Sequence, residues 1–324
     1  MMILVGDIGG TKTELALYDE GRVIVERCRF PSGSYPSLQA VVAEFLGERR
    51  VRAAAFAVAG PVRDGQCKAT NLPWQMDERV LSAQIGAKVA LLNDLAAATL
   101  GLPALLPADL VVLAAGEPDP RGPVALIGAG TGLGEAVGVR TPNGLHVLSS
   151  EGGHADFAPR DELEIELFRF LRRRYRGRVS IERIVSGPGL VAVYDFVREH
   201  GLASSTPETD AELQRGDPAE VIGRRGYSGE DAACDRALTI FVSLYGSEAG
   251  NLALKVLPTG GLYVVGGMAP KLIDRIRRGE FMQSMLDKGR MSDVLLKIPV
   301  AVVISPDVVL LGARARASML YKGD

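Results

Sequence analysis

Three cysteines in 324 residues, Cys28, Cys67 and Cys234, are too few and too scattered for a disulfide framework or a zinc site. A reducing compartment is the expectation. Charge of one sign is also missing: 37 Lys and Arg stand against 39 Asp and Glu, a formal net charge of −2. That balance argues against a general nucleic-acid or membrane-surface binder. No apolar run reaches membrane-spanning length. The first residues lack the basic and apolar regions of a secretory leader, because Asp7 interrupts them at once. The expectation is a soluble cytoplasmic protein with no nucleic-acid and no membrane partner. What remains is ordinary for a globular chain, 47% hydrophobic and 23% charged. The length is large for one core, so two domains are expected.

What the chain does have is a glycine-rich turn that occurs twice. The first is Gly6-Asp7-Ile8-Gly9-Gly10-Thr11, after the apolar run Ile3-Leu4-Val5. The second is Gly128-Ala129-Gly130-Thr131-Gly132-Leu133-Gly134, after Val124-Ala125-Leu126-Ile127. Each leads into a second alternating segment, Thr13 to Tyr18 and Glu135 to Val139, so each reads as strand, turn, strand. Glycines let backbone N–H groups crowd around an anion without Cβ interference. A Walker A loop is ruled against, since Thr11 rather than glycine precedes Lys12-Thr13. A Rossmann turn is ruled against too: Leu133 stands where its third glycine belongs, and no helix follows. One such turn is as well explained by a plain hairpin. Two with the same flanks point to phosphate binding in a duplicated core.

The rest of the chain alternates strands and helices. Val23 to Cys28 completes a three-strand meander, and Ala53 to Ala59 reads as a buried strand. Helices are predicted over Ser37 to Glu48, Asp77 to Ile85 with Asp77 as cap, Glu162 to Arg174, Leu190 to Glu199 and Gly229 to Leu257. Gly201 to Asp217, rich in Ser, Thr, Pro and Gly, reads as a mobile surface loop. Strands are expected at Leu145 to Leu148, Gly260 to Val265 and Pro299 to Ile304, and a terminal helix at Val308 to Leu320. The Arg169 to Arg178 cluster follows acidic residues on one helix, which suits the helix dipole better than it suggests a phosphate site.

Three segments carry candidate chemistry. Asn93-Asp94 ends the apolar strand Val89 to Leu92 and opens a helix, the edge where open α/β sheets place ligands. An Asp there can take a proton from an attacking hydroxyl; from position alone an ordinary N-cap is the simpler reading. Glu151 and His154 flank Gly152-Gly153, so both side chains can face one small polar ligand; a charged surface turn explains them as well. Glu182 in Ser180-Ile181-Glu182 also reads as a helix start capped by Ser180. Trp74, the only tryptophan, is expected in the core.

Taken together these residues resemble the bacterial glucokinase family. The ordered set is the turn at 6–11, Thr70-Asn71 with Trp74, Asn93-Asp94, the turn at 128–134, Glu-Gly-Gly-His at 151–154, Ser-Gly-Pro-Gly-Leu at 186–190, Gly-Asn-Leu-Ala-Leu at 250–254 and Gly266-Gly267. The resemblance implies a two-lobed actin-like (ribonuclease H-like) α/β ATPase fold. Each lobe is a mixed sheet flanked by helices, with the active site in the cleft. Residues 1–104 plus 305–324 are expected to form the small domain and 105–304 the large one. The implied activity is transfer of the γ-phosphate of ATP to the 6-hydroxyl of glucose.

By the same resemblance Asp94 is the general base, and Asn93, Glu151, His154 and Glu182 bind the sugar. Asp7, Gly9, Gly10, Thr11 and Lys12 face the terminal phosphates, with Asp7 orienting Mg2+ through water. Gly130, Thr131 and Gly132 take the phosphates from the other lobe, and Gly266 and Gly267 lie against the adenosine. A homodimer is implied as well. Two positions depart from the family pattern. Lys12 stands where Asn is common and leaves the phosphate donor open, and Glu135 stands where a small apolar residue is common. Gly-Gly-Thr-Lys also occurs in the ROK (repressor, open reading frame, kinase) family, but its cysteine-rich zinc motif is missing after His154. A kinase for mannose or glucosamine, a non-catalytic sugar sensor and a polymerising or chaperone-type ATPase are the competing readings. The first is separated by a substrate panel. No helix-turn-helix precedes the first turn, which argues against the sensor, and the ATPase leaves the sugar-site residues unexplained.

Overall fold

Both glycine turns close antiparallel hairpins. In the computed structural model, which describes residues 2–19, 23–69, 72–142 and 144–322, β1 (Met2–Ile8) pairs with β2 (Lys12–Tyr18) and places Ile8 opposite Thr13. The chain divides into two units: residues 1–109, 143–149 and 305–324 form unit 1, and residues 110–142 and 150–304 form unit 2.

Unit 1 continues with β3 (Ile24–Pro31), α1 (Leu38–Leu46), β4 (Val51–Val58), β5 (Gln66–Lys68), β6 (Gln75–Asp77), α2 (Glu78–Ile85), β7 (Lys88–Asn93) and α3 (Asp94–Gly101). The sheet order is β3-β2-β1-β4-β7, with β4 parallel to both β1 and β7. Strand periodicity sends alternate side chains to opposite faces. Leu4, Leu15, Phe56 and Leu91 bury one face with Leu38 and Val41 of α1 and Leu81 of α2. Trp74 lies in that core, its indole N–H donating to Tyr35 O at 3.0 Å. The other face is lined by small residues, Ala16, Ala53, Ala55 and Ala90, against Leu310, Ala313 and Ala317 of the terminal helix Val308–Lys322. Thr70 and Asn71 lie outside the described residues.

Unit 2 contains β8 (Leu110–Ala114), β9 (Val124–Ala129) and β10 (Leu133–Thr141); β11 (Gly144–Ser150) runs up to the Glu151 turn. Six helices follow: α4 (Glu162–Arg174), α5 (Gly187–Glu199), α6 (Pro207–Leu213), α7 (Pro218–Ser228), α8 (Ala232–Val256) and, after β12 (Gly261–Val265), α9 (Ile273–Arg277). Then come α10 (Glu280–Leu286), α11 (Ser292–Leu295) and β13 (Val300–Val303), and the terminal helix is α12. The strands run β10-β9-β12-β13-β8, with β9, β12 and β13 mutually parallel along the row. An antiparallel hairpin with a parallel strand on its far side thus occurs in both units. Helix α8 is buried along most of its length, and Phe241, Leu244 and Tyr245 anchor the core.

Three expectations are corrected. The Gly201 to Asp217 stretch holds a helix, α6, capped by Thr206 with Pro207 at its first turn. Helix α8 begins at Ala232 rather than Gly229, because Gly229 is left-handed (φ +74°) and closes α7, and Asp231 caps the new helix. Ser180 makes no side-chain cap bond. Asp77 does cap α2, and α4 is capped by Asp161, with Glu162 and Glu164 in its first turn and Arg172 to Arg174 in its last.

Candidate active site

In unit 1 the candidate residues gather at the ends of β1 and β7. Asn93 is the N-cap of α3: its Oδ1 accepts from Leu95 N at 3.0 Å and Ala96 N at 3.2 Å, and its Nδ2 donates to Gly60 O at 3.3 Å. The simple cap reading is therefore correct as far as it goes. An amide has two N–H donors, so one is left for a ligand. Leu95 N also donates to Asp94 Oδ1 at 2.8 Å, which holds that carboxylate at the start of α3. Burial pushes the Asp7 carboxyl up to about 6; the Asp94 charge adds to this and the Lys12 ammonium opposes it. Two carboxyl groups therefore converge here, a field that a bound cation relieves. The turn itself is closed by Gly9 N donating to Lys12 O at 2.9 Å, and Ser32 Oγ donates to Gly9 O at 2.8 Å. Gly10 follows in the same turn, and Thr11 and Lys12 are exposed.

In unit 2 three polar side chains converge. His154 Nε2 lies 3.9 Å from Glu151 Oε2, and His154 Nδ1 lies 3.7 Å from Glu182 Oε1. All three keep access to solvent, and Glu182 keeps Oε1 on the His154 side while its other oxygen is held by the backbone. The geometry comes from β10. Leu133 N donates to Glu182 Oε2 at 3.0 Å. A Cβ on Gly132 would lie 2.5 Å from that same oxygen, so Gly132 makes room for Glu182. A Cβ on Gly153 would lie 1.9 Å from Leu133 O, so only glycine lets the turn sit this close to the strand.

The second glycine turn borders a cavity of about 800 Å³ within unit 2, the size of a small-molecule site. Gly130 N donates to Gly132 O and Gly187 N donates to Gly130 O, both at 2.8 Å. The turn is thereby docked on the N-terminus of α5, a 13-residue helix whose dipole favours an anion there. Gly130 and Thr131 line the cavity at that end, and an added Cβ on Gly130 would meet nothing within 4 Å. Arg224, Tyr227, Met268 and Lys271 line it further on. Gly266 is left-handed (φ +89°) and packs on Ala129 O; with Gly267 it leads into Met268.

The structure adds functional candidates: the α5 N-terminus at Gly187, a motif that sequence reasoning singled out without giving it a role, and the α7 face carrying Arg224 and Tyr227, which it missed. Signals existed for both. Ser186 with Pro188 and Asp217 with Pro218 are each an N-cap followed by proline in the first turn.

A family model described as Glucokinase matches residues 4–320. A curated glucokinase of Nostoc sp. is 42% identical, covering 98% of this chain and 99% of its own. One from Synechocystis sp. is 41% identical, covering 97% of each. The crystal structure of a glucokinase from an Antarctic psychrotroph superposes with a TM-score of 0.82 at 33% identity, covering 98% of this chain and 99% of that one. The fold is the actin-like ATPase fold of sugar kinases.

Proposed function

The chain belongs to the glucokinase family, and from that premise we propose that it transfers the γ-phosphoryl group of ATP to the 6-hydroxyl of D-glucose. The observation that carries this reading is the Glu151, His154 and Glu182 cluster, three open polar groups on a backbone that glycines let close up. Paired polar groups reject sugars that lack the matching hydroxyls. Asn93 adds its remaining N–H donor. Asp94 is the general base: it accepts the proton of the 6-hydroxyl as that oxygen bonds to the γ-phosphorus and the bond to the departing ADP oxygen breaks.

Phosphoryl transfer asks mainly for alignment and charge stabilisation. The cavity takes the nucleotide, with its phosphates at Gly130, Thr131 and the N-terminus of α5 and its base toward Met268 and Tyr227. To the Gly9 to Lys12 turn we assign the binding of the terminal phosphates. Oxygen donors at Asp7, held beside a second carboxylate, suit a hard cation such as Mg2+. Mg2+ bound with the nucleotide would neutralise phosphate charge. Among the described residues no helix is long and apolar enough to cross a membrane. Cytoplasmic residence and a homodimer belong to the same reading, and sedimentation checks the second.

A coupled ADP-release assay with Mg-ATP and glucose, mannose, fructose, glucosamine or no sugar tests the proposal. Turnover with glucose well above the others is expected. ATP use that ignores sugar would overturn the reading, and preference for mannose or glucosamine would reassign the substrate. Gly153→Ala is expected to raise the glucose KM about tenfold or more, because its Cβ must push the turn off Leu133 O. kcat at saturating glucose should change far less, and steady-state kinetics separate the two.

A further inference from the structure

The departure at Glu135 has a structural counterpart. Glu135 on β10 and Glu248 on α8 are both buried carboxyl groups, 3% and 4% exposed, and they face each other. Glu135 Oε1 and Glu248 Oε1 both lack a hydrogen-bond donor. Lys255 Nζ stands 3.8 Å from Glu248 Oε1, beyond hydrogen-bond reach, and Asn251 Nδ2 donates to Glu248 Oε2 at 2.8 Å. Two ionised carboxylates are acceptors only; one proton makes a donor of either and satisfies both. The other oxygen of Glu135 lies under the Glu151 to His154 turn. A Cβ on Gly152 would fall 1.8 Å from Glu135 Oε2, so the turn rests directly on this carboxyl group.

We propose that Glu135 and Glu248 hold one proton between them and act as a positioning pair, the seat of the turn that carries Glu151 and His154. The proposal rests on the reading of that turn as sugar-facing. Neither group touches the sugar. Their shared proton keeps β10 and α8 together beneath Gly152, and loss of it places two charges in a buried site. The charged groups facing the pair are Lys255 on α8 and Lys288 from the segment after α10, which donates to Asn251 Oδ1 at 2.8 Å; the turn that rests on Glu135 carries Glu151 and His154, and Glu182 stands beside His154.

Burial, reinforced by Glu248, pushes the Glu135 carboxyl from its ordinary 4.5 up to about 7. The folded state therefore holds the proton more tightly than the unfolded chain. The stability it contributes is complete below 4.5 and is lost as pH rises through about 7.

The test compares native protein with Glu135→Gln and Glu248→Gln from about pH 5.5 to about 8.5. Glutamine keeps the shape, supplies the donor and cannot titrate. Native Tm is expected to fall relative to Glu135→Gln by roughly 3 °C or more as pH rises across that range. The native glucose KM should rise about threefold or more with pH, with kcat moving the same way in both proteins, and the KM of Glu135→Gln should lose this dependence. Glu135→Ala leaves Glu248 without its partner and should raise KM at every pH, so that Glu135→Gln counts as rescue. Superimposable Tm and KM profiles for native protein and Glu135→Gln would overturn the proposal. A Tm gap that moves while KM does not would overturn the positioning role. Absence of glucose turnover would instead defeat the substrate reading, and the Tm comparison would still decide whether the proton is shared.

Discussion

Asp94→Asn is expected to lower kcat by about a thousandfold, inside the 10²–10⁴ range that general-base catalysis contributes. Asparagine keeps the size of the side chain and its place at the start of α3, but it cannot take the proton. Asn93 caps α3, and an amide oxygen at position 94 can still accept from Leu95 N, so the helix and the fold should survive. Tm should therefore shift by less than about 2 °C, as expected for a substitution of equal size that creates no cavity. The glucose KM should change by no more than a few fold, since an amide still hydrogen-bonds the hydroxyl. Asn93→Ala is the informative contrast. It removes the cap, at a cost of about 1 kcal/mol, and frees Gly60 O, so it should lower stability and sugar affinity together. A fully active Asp94→Asn enzyme would remove Asp94 as the base. Equal loss of Tm and activity would reduce it to a structural residue.

Much of this architecture was legible because local and global signals agree. A glycine turn between two alternating segments has few options besides a hairpin, and both copies form one. Helix α4 was readable to the residue: Asp161 caps it and its acid-to-base order follows the dipole. The Glu151 to His154 turn was readable as paired polar groups around two glycines. Less legible were the elements that tertiary packing decides. β8 sits at a sheet edge against β13 and has no strong alternation of its own. Helix α6 lies where composition suggests a loop and α7 directly follows that stretch, and only their caps with proline betray them. Glycine roles were the subtlest. Gly6 looks like part of a phosphate loop, yet a Cβ there would meet Leu15 and Phe56, so it serves the packing under the turn. Gly132 makes room for Glu182. The partner of Glu135 lies on a helix more than a hundred residues away, and no local pattern announces a long-range pair.

Gly312→Ala is the substitution expected to cost most in stability. The backbones of α3 and α12 cross in direct contact: a Cβ on Gly312 would lie 1.6 Å from Ala97 O, and one on Gly101 would lie 2.1 Å from Val308 O. Both obstacles are backbone carbonyls, which no rotamer change can move. The helices must separate, and the small-residue layer of Ala313 and Ala317 against Ala53, Ala55 and Ala90 opens with them. Overpacking of this kind costs about 1–3 kcal/mol, and backbone obstacles place it at the upper end. Tm should fall by roughly 5–10 °C. Arg27 ties the same region from the sheet side, donating to Asp307 Oδ1 at 2.7 Å just before α12 begins. The helix therefore cannot retreat freely and the displacement falls on α3. Since α3 starts at Asp94, the base moves too, and a shift near 1 Å costs about a hundredfold in rate. Gly223→Ala is the control for helix propensity, because it lies within α7 and its Cβ would meet nothing within 4 Å. It should raise stability by about 0.5–1 kcal/mol. Thermal unfolding of the two proteins separates helix propensity from backbone contact. A Gly312→Ala protein with native Tm and kcat would show that α12 adjusts without carrying α3, and that the base is positioned by β7 alone.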